Sequence, residues 1–216
     1  MSNDELVLDV NDELFWDPKV DSEEIAVSAD AGKVTLRGTV GSFRQKREAT
    51  KAAERVYGVK SVSNELQVRL LNDSRREDAE LRGDVLQALM LDSLLPTTID
   101  AKVHDGLVTL KGTTDWQYQR DEAEFVAGNV FGVIGVDDQI ELKNPTPSAA
   151  NVKDAIKQAF ERNAGLDADD ISVVSSNGTV TLEGEVSSWA EHDEAIAAAW
   201  AAPGVTDVKD RIYVDY

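Results

Sequence analysis

One short pattern constrains this chain more than any other feature. Gly32-Lys-Val-Thr-Leu-Arg-Gly38 recurs as Gly106-Leu-Val-Thr-Leu-Lys-Gly112 and as Gly178-Thr-Val-Thr-Leu-Glu-Gly184. A Gly-Val pair lies 20 residues beyond the second glycine in every copy: Gly58-Val59, Gly132-Val133 and Gly204-Val205. Four residues further on stand Val62, Val136 and Val208, followed by Leu66, Ile140 and Ile212, then Val68, Leu142 and Val214. Spacing kept without insertion through three copies is the mark of tandem domains, each a supersecondary unit of its own. The copies span residues 1–72, 73–146 and 147–216.

Hydrophobic periodicity gives each copy the same element order. Leu6, Val10 and Leu14, spaced four apart, predict an amphipathic first helix, with Leu81, Val85, Leu89 and Val152, Ile156, Phe160 as counterparts. A short strand follows, over 25–28, 99–103 and 171–174. Asp105-Gly106 and Asn177-Gly178 are strong hairpin signals, because both residues of such a pair tolerate positive φ. The second strand alternates Val34/Leu36, Val108/Leu110 or Val180/Leu182 with polar residues, the period of a half-buried strand. A second helix carries Ala49/Ala53, Ala123/Ala127 or Ala195/Ala199, a smooth stripe suited to close packing on a sheet. The spacing predicts Gly58, Gly132 and Gly204 as the residue just past that helix, where a left-handed backbone costs glycine least. A third strand closes the unit. The expectation is α+β: three tandem α-β-β-α-β domains, each a three-stranded sheet packed with two helices.

Two polar connectors join the domains, 71–77, which is polar throughout after Leu71, and 144–148 with two prolines that favour an extended spacer. Units this small have thin cores and gain from neighbours, so contact between domains is expected.

Gly-x-Val-x-Leu-x-Gly, a helix, then Gly-Val-x-x-Val-x-(Asn/Asp)-x-(Leu/Ile) resembles the BON domain, a bacterial module named from osmotically induced and nodulation proteins. Asn64, Asp138 and Asp210 fill the Asn/Asp position. The resemblance runs through three copies and essentially the whole chain. It implies the same α-β-β-α-β fold and a non-enzymatic role in osmotic or envelope stress, with contact to phospholipid surfaces or, in some members, small-cation binding.

Composition narrows the function classes. The 216 residues carry 41 acidic and 22 basic side chains, for a net charge of −19, and no cysteine. Disulfide scaffolding, thiolate zinc sites and a cysteine nucleophile are excluded. A phosphate-tracking nucleic-acid binder needs a basic footprint that this chain lacks. No run approaches the roughly 18 apolar residues of a membrane span. The first ten residues carry acid where an export leader has base, so the expected location is cytoplasmic, or periplasmic if a leader has been removed.

Catalysis has no support. His104 and His192 do not recur between copies, both read as solvated, and no nucleophile elbow, zinc-protease, Walker or dinucleotide motif is present. For cations such as K⁺ or Ca²⁺, which want several oxygens at once, the candidates are Asp167, Asp169 and Asp170, and the pair Asp137-Asp138. None of these resembles a known binding loop, and each reads equally as a solvated loop.

Contact surfaces are the better candidates. The copies carry net charges of −3, −8 and −8, and the first concentrates its positive charge on the second helix. There Arg44, Arg47, Lys51 and Arg55 share a face at helical spacing, able to receive an anionic headgroup, to dock against the acidic second and third copies, or simply to face solvent. Phe15-Trp16 end the first helix of the first copy, where Leu14, Phe15 and Trp16 cannot all face one core. Leu94-Leu95 follow Met90-Leu91 in the second copy, with Trp116 and Tyr118 beyond. Such residues suit a lipid interface, a protein partner, or burial between domains.

Overall fold

The computed structural model describes residues 2–69, 76–143, 152–163 and 170–216. The connector at 144–148 and residues 71–75 of the other lie outside the described residues, as do Asp167 and Asp169. Each sequence copy forms one repeat of the expected order. The first comprises α1 (Asn3–Trp16), β1 (Ile25–Asp30), β2 (Lys33–Val40), α2 (Phe43–Glu54) and β3 (Ser61–Val68). The second comprises α3 (Asp78–Leu91), β4 (Asp100–His104), β5 (Leu107–Thr114), α4 (Gln117–Gly128) and β6 (Gly135–Leu142). The third comprises α5 (Val152–Arg162), β7 (Ile171–Ser176), β8 (Thr179–Val186), α6 (Trp189–Trp200) and β9 (Asp207–Val214). The sheets have orders β1-β2-β3, β4-β5-β6 and β7-β8-β9. In the first and third, the hairpin is antiparallel and the last strand runs parallel to the central one across the helical crossover.

Local chemistry explains these elements. Ser2 caps α1 by accepting from Glu5 N while Glu5 accepts from Ser2 N, a capping box that satisfies two donors at the helix start. Ser42 and Ser188 cap α2 and α6 in the same role. The hairpin turns have positive φ at both central residues: 48° and 84° at Ala31-Gly32, 49° and 79° at Asp105-Gly106, 49° and 81° at Asn177-Gly178. That is the turn whose twist matches the flanking strands. The first helix buttresses it: Asn3 Oδ1 accepts from Ala31 N at 3.1 Å, and Asp78 accepts from Asp105 N and Gly106 N at 2.9 and 3.2 Å.

The helix-end glycine of the first repeat does different work from that expected. α2 ends at Glu54, so Gly58 stands beyond the cap residue Arg55, in the turn entering β3, and not as the residue after the helix. Its φ of 90° still calls for glycine. Gly38, at φ 126°, closes against the backbone before β1, where a Cβ would stand 1.8 Å from Glu24 O. Gly112 and Gly184 make the same approach to Thr98 O and Asp170 O.

Each repeat buries its own core. In the first, Leu6, Val10 and Leu14 of α1 meet Val34, Leu36 and Val40 of β2, Ala49, Ala52 and Ala53 of α2, and Leu66 of β3. The alanine stripes are fully buried in all three repeats, as their spacing predicts. Ion pairs tie α1 to α2: Arg55 reaches Glu13 and Asp17, both at 2.8 Å, and Lys19 reaches Glu48 at 3.0 Å. By contact density the chain divides into two compact units, Met1–Gly112 with Gln119–Glu141, and Thr113–Tyr118 with Leu142–Tyr216.

Candidate functional site

The basic face of α2 does not stand free as four like members. Arg44 and Lys51 are exposed. Arg55 is exposed but ion-paired with Glu13 and Asp17. Its guanidinium, with the backbone N–H of Lys19, holds the Asp17 carboxyl below the usual carboxylate range. Arg47 is engaged by the second repeat: its Nη2 donates to Asn129 Oδ1 at 3.1 Å and its Nη1 to Glu124 O at 3.5 Å. The same guanidinium lies 5.4 Å from the Phe43 ring centre and 5.1 Å from that of Phe125. Burial there pushes the Glu124 carboxyl up and the Arg47 guanidinium down.

The apolar candidates sort by position. Leu14, Leu89 and Phe160 occupy equivalent places at the end of the first helix, each buried in its own core. The two residues after them differ between repeats: Phe15-Trp16, Met90-Leu91 and Glu161-Arg162. Phe15 and Trp16 are 75% and 78% exposed, Met90 and Leu91 80% and 78%. Burial between domains, one of the expected readings, does not describe these four. Phe15 and Trp16 touch edge to face at 6.3 Å. Leu94 is exposed beside the second pair, whereas Leu95 is partly buried against the core of its repeat. Tyr118 is exposed and Trp116 half-buried.

The histidines part company. His104 is exposed, as expected. His192 is buried, which corrects the solvated reading: its Nε2 faces Asp210 Oδ2 at 2.9 Å, its Nδ1 faces Asp193 Oδ1 at 3.2 Å, and Trp189 packs on the ring. Sequence reasoning missed this pair and its two siblings. The residue 18 positions before the Asn/Asp position is Lys46, Arg120 or His192. Arg120 donates to Asp138 Oδ2 at 2.9 Å, and Asn64 Nδ2 donates to Lys46 O at 2.7 Å. In all three repeats the Asn/Asp side chain also accepts from the backbone N–H two residues on. So the position is a tie between second helix and last strand, with a different chemistry in each copy. The constant 18-residue spacing was the available signal.

That tie also decides what Asp138 does: one oxygen serves Ile140 N and the other Arg120. Among the described residues no group of three His, Cys, Asp or Glu side chains is arranged to hold a metal ion. No described helix is long and apolar enough to cross a membrane.

The family model for the BON domain matches three times, over residues 2–69, 77–144 and 148–216. The chain belongs to the BON domain family. A BON-type relative, Osmotically-inducible protein Y of Escherichia coli (strain K12), is 36% identical over 129 residues, which are 57% of this chain and 64% of that protein. The match thus spans less than two thirds of that relative's length. Among solved structures, one described as CdsD, a structural protein of the type III secretion system of Chlamydia trachomatis, is 15% identical over 98% of this chain and 92% of its own, with a TM-score of 0.28. The C-terminal domain of the same protein is 14% identical over the full length of both chains, with a TM-score of 0.27. Likeness at that level carries no argument, and the BON assignment rests on the three family matches.

Proposed function

We propose that this three-BON chain is a non-catalytic binding module of bacterial osmotic or envelope stress that touches phospholipid surfaces through the exposed ends of its first helices. The observation that carries the reading is the pairing of Phe15-Trp16 with Met90-Leu91. Two repeats leave two large apolar residues in solvent at one place in the fold. The third puts Glu161-Arg162 there.

The occupant follows from the chemistry of the pairs. They agree in apolar character and differ in shape, one aromatic and one aliphatic. A packed protein pocket discriminates between such shapes, whereas the headgroup–acyl boundary accepts both and favours Trp in particular. Acids flank the tips along the chain, Asp12 and the Arg55-paired Glu13 and Asp17 in the first repeat and Asp92 in the second. Attraction to anionic lipid is therefore not the driving term. The basic face of α2 is a weaker route, since Arg47 and Arg55 are spent on contacts within the chain. The resemblance to an osmotically inducible protein supports the stress setting.

Vesicle flotation tests this. The purified chain is expected to float with both neutral and anionic vesicles, with little response to salt, and to lose flotation on Trp16→Glu combined with Leu91→Glu. Failure to float overturns the lipid reading. Flotation with anionic vesicles alone that salt abolishes would move the site to Arg44 and Lys51.

A further inference from the structure

We infer that α2 of the first repeat is a docking surface for the second helix of another BON domain, and that it locks the first two repeats into one body with fixed orientation. The partner it fits is the sequence Phe125-x-x-Gly128-Asn129 at the C-terminal end of α4. Arg47 fills the space between the Phe43 and Phe125 rings and bonds to Asn129. A planar guanidinium suits that place, because it stacks on aromatic faces while its edge donates.

Gly128 completes the fit. A Cβ there would stand 2.8 and 3.0 Å from two Phe43 ring carbons and 3.2 Å from Arg47 Nη1. Gly128 is the last residue of α4, and the close approach of the Phe43 ring leaves no room there for a side chain.

The interface residues are those that the repeats do not share. Phe43 and Arg47 correspond to Gln117 and Asp121 in the second repeat and to Trp189 and Asp193 in the third. Phe125, Gly128 and Asn129 correspond to Lys51, Glu54 and Arg55, and to Ala197, Trp200 and Ala201. Key and socket therefore each occur once in the chain, on different repeats. This is a heterologous contact with a single solution, unlike a face common to all three copies. The inclusion of 1–112 and 119–141 in one compact unit agrees with it. The inference is independent of any lipid contact.

The siblings supply the test variants. Aspartate stands at the Arg47 position in both other repeats and tryptophan at the Gly128 position in the third, so Arg47→Asp and Gly128→Trp are compatible with the fold of a single repeat. Because the chain has no cysteine, Lys33→Cys and Lys102→Cys place spin labels on the exposed strands of repeats one and two in the full chain. Pulsed electron–electron resonance should give one narrow distance distribution, whose width roughly doubles in Arg47→Asp as the default mobility between domains returns. A broad distribution in the parent, or an unchanged narrow one in Arg47→Asp, overturns the inference. Should circular dichroism show that Arg47→Asp has lost its fold, Gly128→Trp decides the matter by the same criterion.

Discussion

His192 Nε2 lies 2.9 Å from Asp210 Oδ2, joining α6 to β9 at the place where the second repeat sets Arg120 against Asp138. The imidazole is buried, with Asp193 on its other nitrogen and Trp189 packed against it in an edge arrangement. Its contribution is structural: it ties the crossover helix to the strand it feeds. His192→Ala removes the donor to Asp210 Oδ2 and leaves the bond from Ile212 N to the other oxygen, at a cost of about 1–2 kcal/mol. His192→Arg rebuilds the pair of the second repeat and should lie within about 0.5 kcal/mol of the parent. Urea denaturation of both variants checks this. Equal losses in the two would show that packing of the ring, and not the tie to Asp210, is what the third repeat needs.

The first hairpin carries a correctable strain. Ala31 sits at φ 48°, where the sibling hairpins have Asp105 and Asn177 at φ 49°. An L-residue with a plain Cβ is disfavoured there, and Asn tolerates it because its short polar side chain bonds locally. The backbone N–H of Ala31, already received by Asn3, is unaffected by a change of side chain. Ala31→Asn should stabilise by about 0.5–1 kcal/mol, and Asn177→Ala should destabilise by a similar amount. A shift of the chemical denaturation midpoint in opposite directions is the expected result.

Gly38 and Gly83 should respond to alanine with opposite signs. At Gly38 the added Cβ meets Glu24 O at 1.8 Å on a backbone at φ 126°, so the strand has to move or the turn before β1 has to open. Gly38→Ala is expected to cost more than about 3 kcal/mol, among the large values that single substitutions give. Gly83 is exposed on α3 with nothing within 4 Å of its Cβ position. Gly83→Ala should stabilise by about 0.5–1 kcal/mol through helix propensity alone. Thermal melts of the two variants distinguish a glycine kept for contact from one that is merely tolerated.

The fold could be read from sequence because its determinants repeat. Three copies of Leu6/Val10/Leu14-type spacing, of the alanine stripe and of the hairpin glycines each point to the same unit, and all are buried or turned as that unit requires. The second glycine of the motif was harder. Its constraint is a carbonyl oxygen of the preceding loop, and a backbone atom has no residue identity to betray it. The Lys46, Arg120 and His192 ties do not show in residue type, because the Asn/Asp side chain meets a backbone carbonyl in the first repeat, a guanidinium in the second and an imidazole in the third. For Arg47 the sequence leaves an anionic headgroup, the acidic repeats and solvent all open. Helical spacing shows which residues share a face of α2, but what covers that face is set by Phe125, Gly128 and Asn129 in a different repeat. The apolar tips at Trp16 and Leu91 stood out by being more apolar than one core can absorb, and both remain at the surface.

Acid should weaken the first repeat through Asp17. The carboxylate is nearly buried, accepts from Arg55 Nη2 at 2.8 Å and from Lys19 N at 3.0 Å, and titrates below its ordinary value chiefly because of the Arg55 hydrogen bond. A carboxyl whose folded-state value is depressed contributes stability above its unfolded value, near 3.9 for Asp, and loses it as pH falls through the folded value. Asp17→Asn keeps the shape of the side chain and removes that dependence. The parent should therefore be more stable than the variant at neutral pH, and the two stability curves should converge as pH falls from about 5 to about 2. Urea midpoints measured across that range decide the point. A gap between the curves that stays constant would mean that Asp17 acts through its hydrogen-bonding shape and not through its charge.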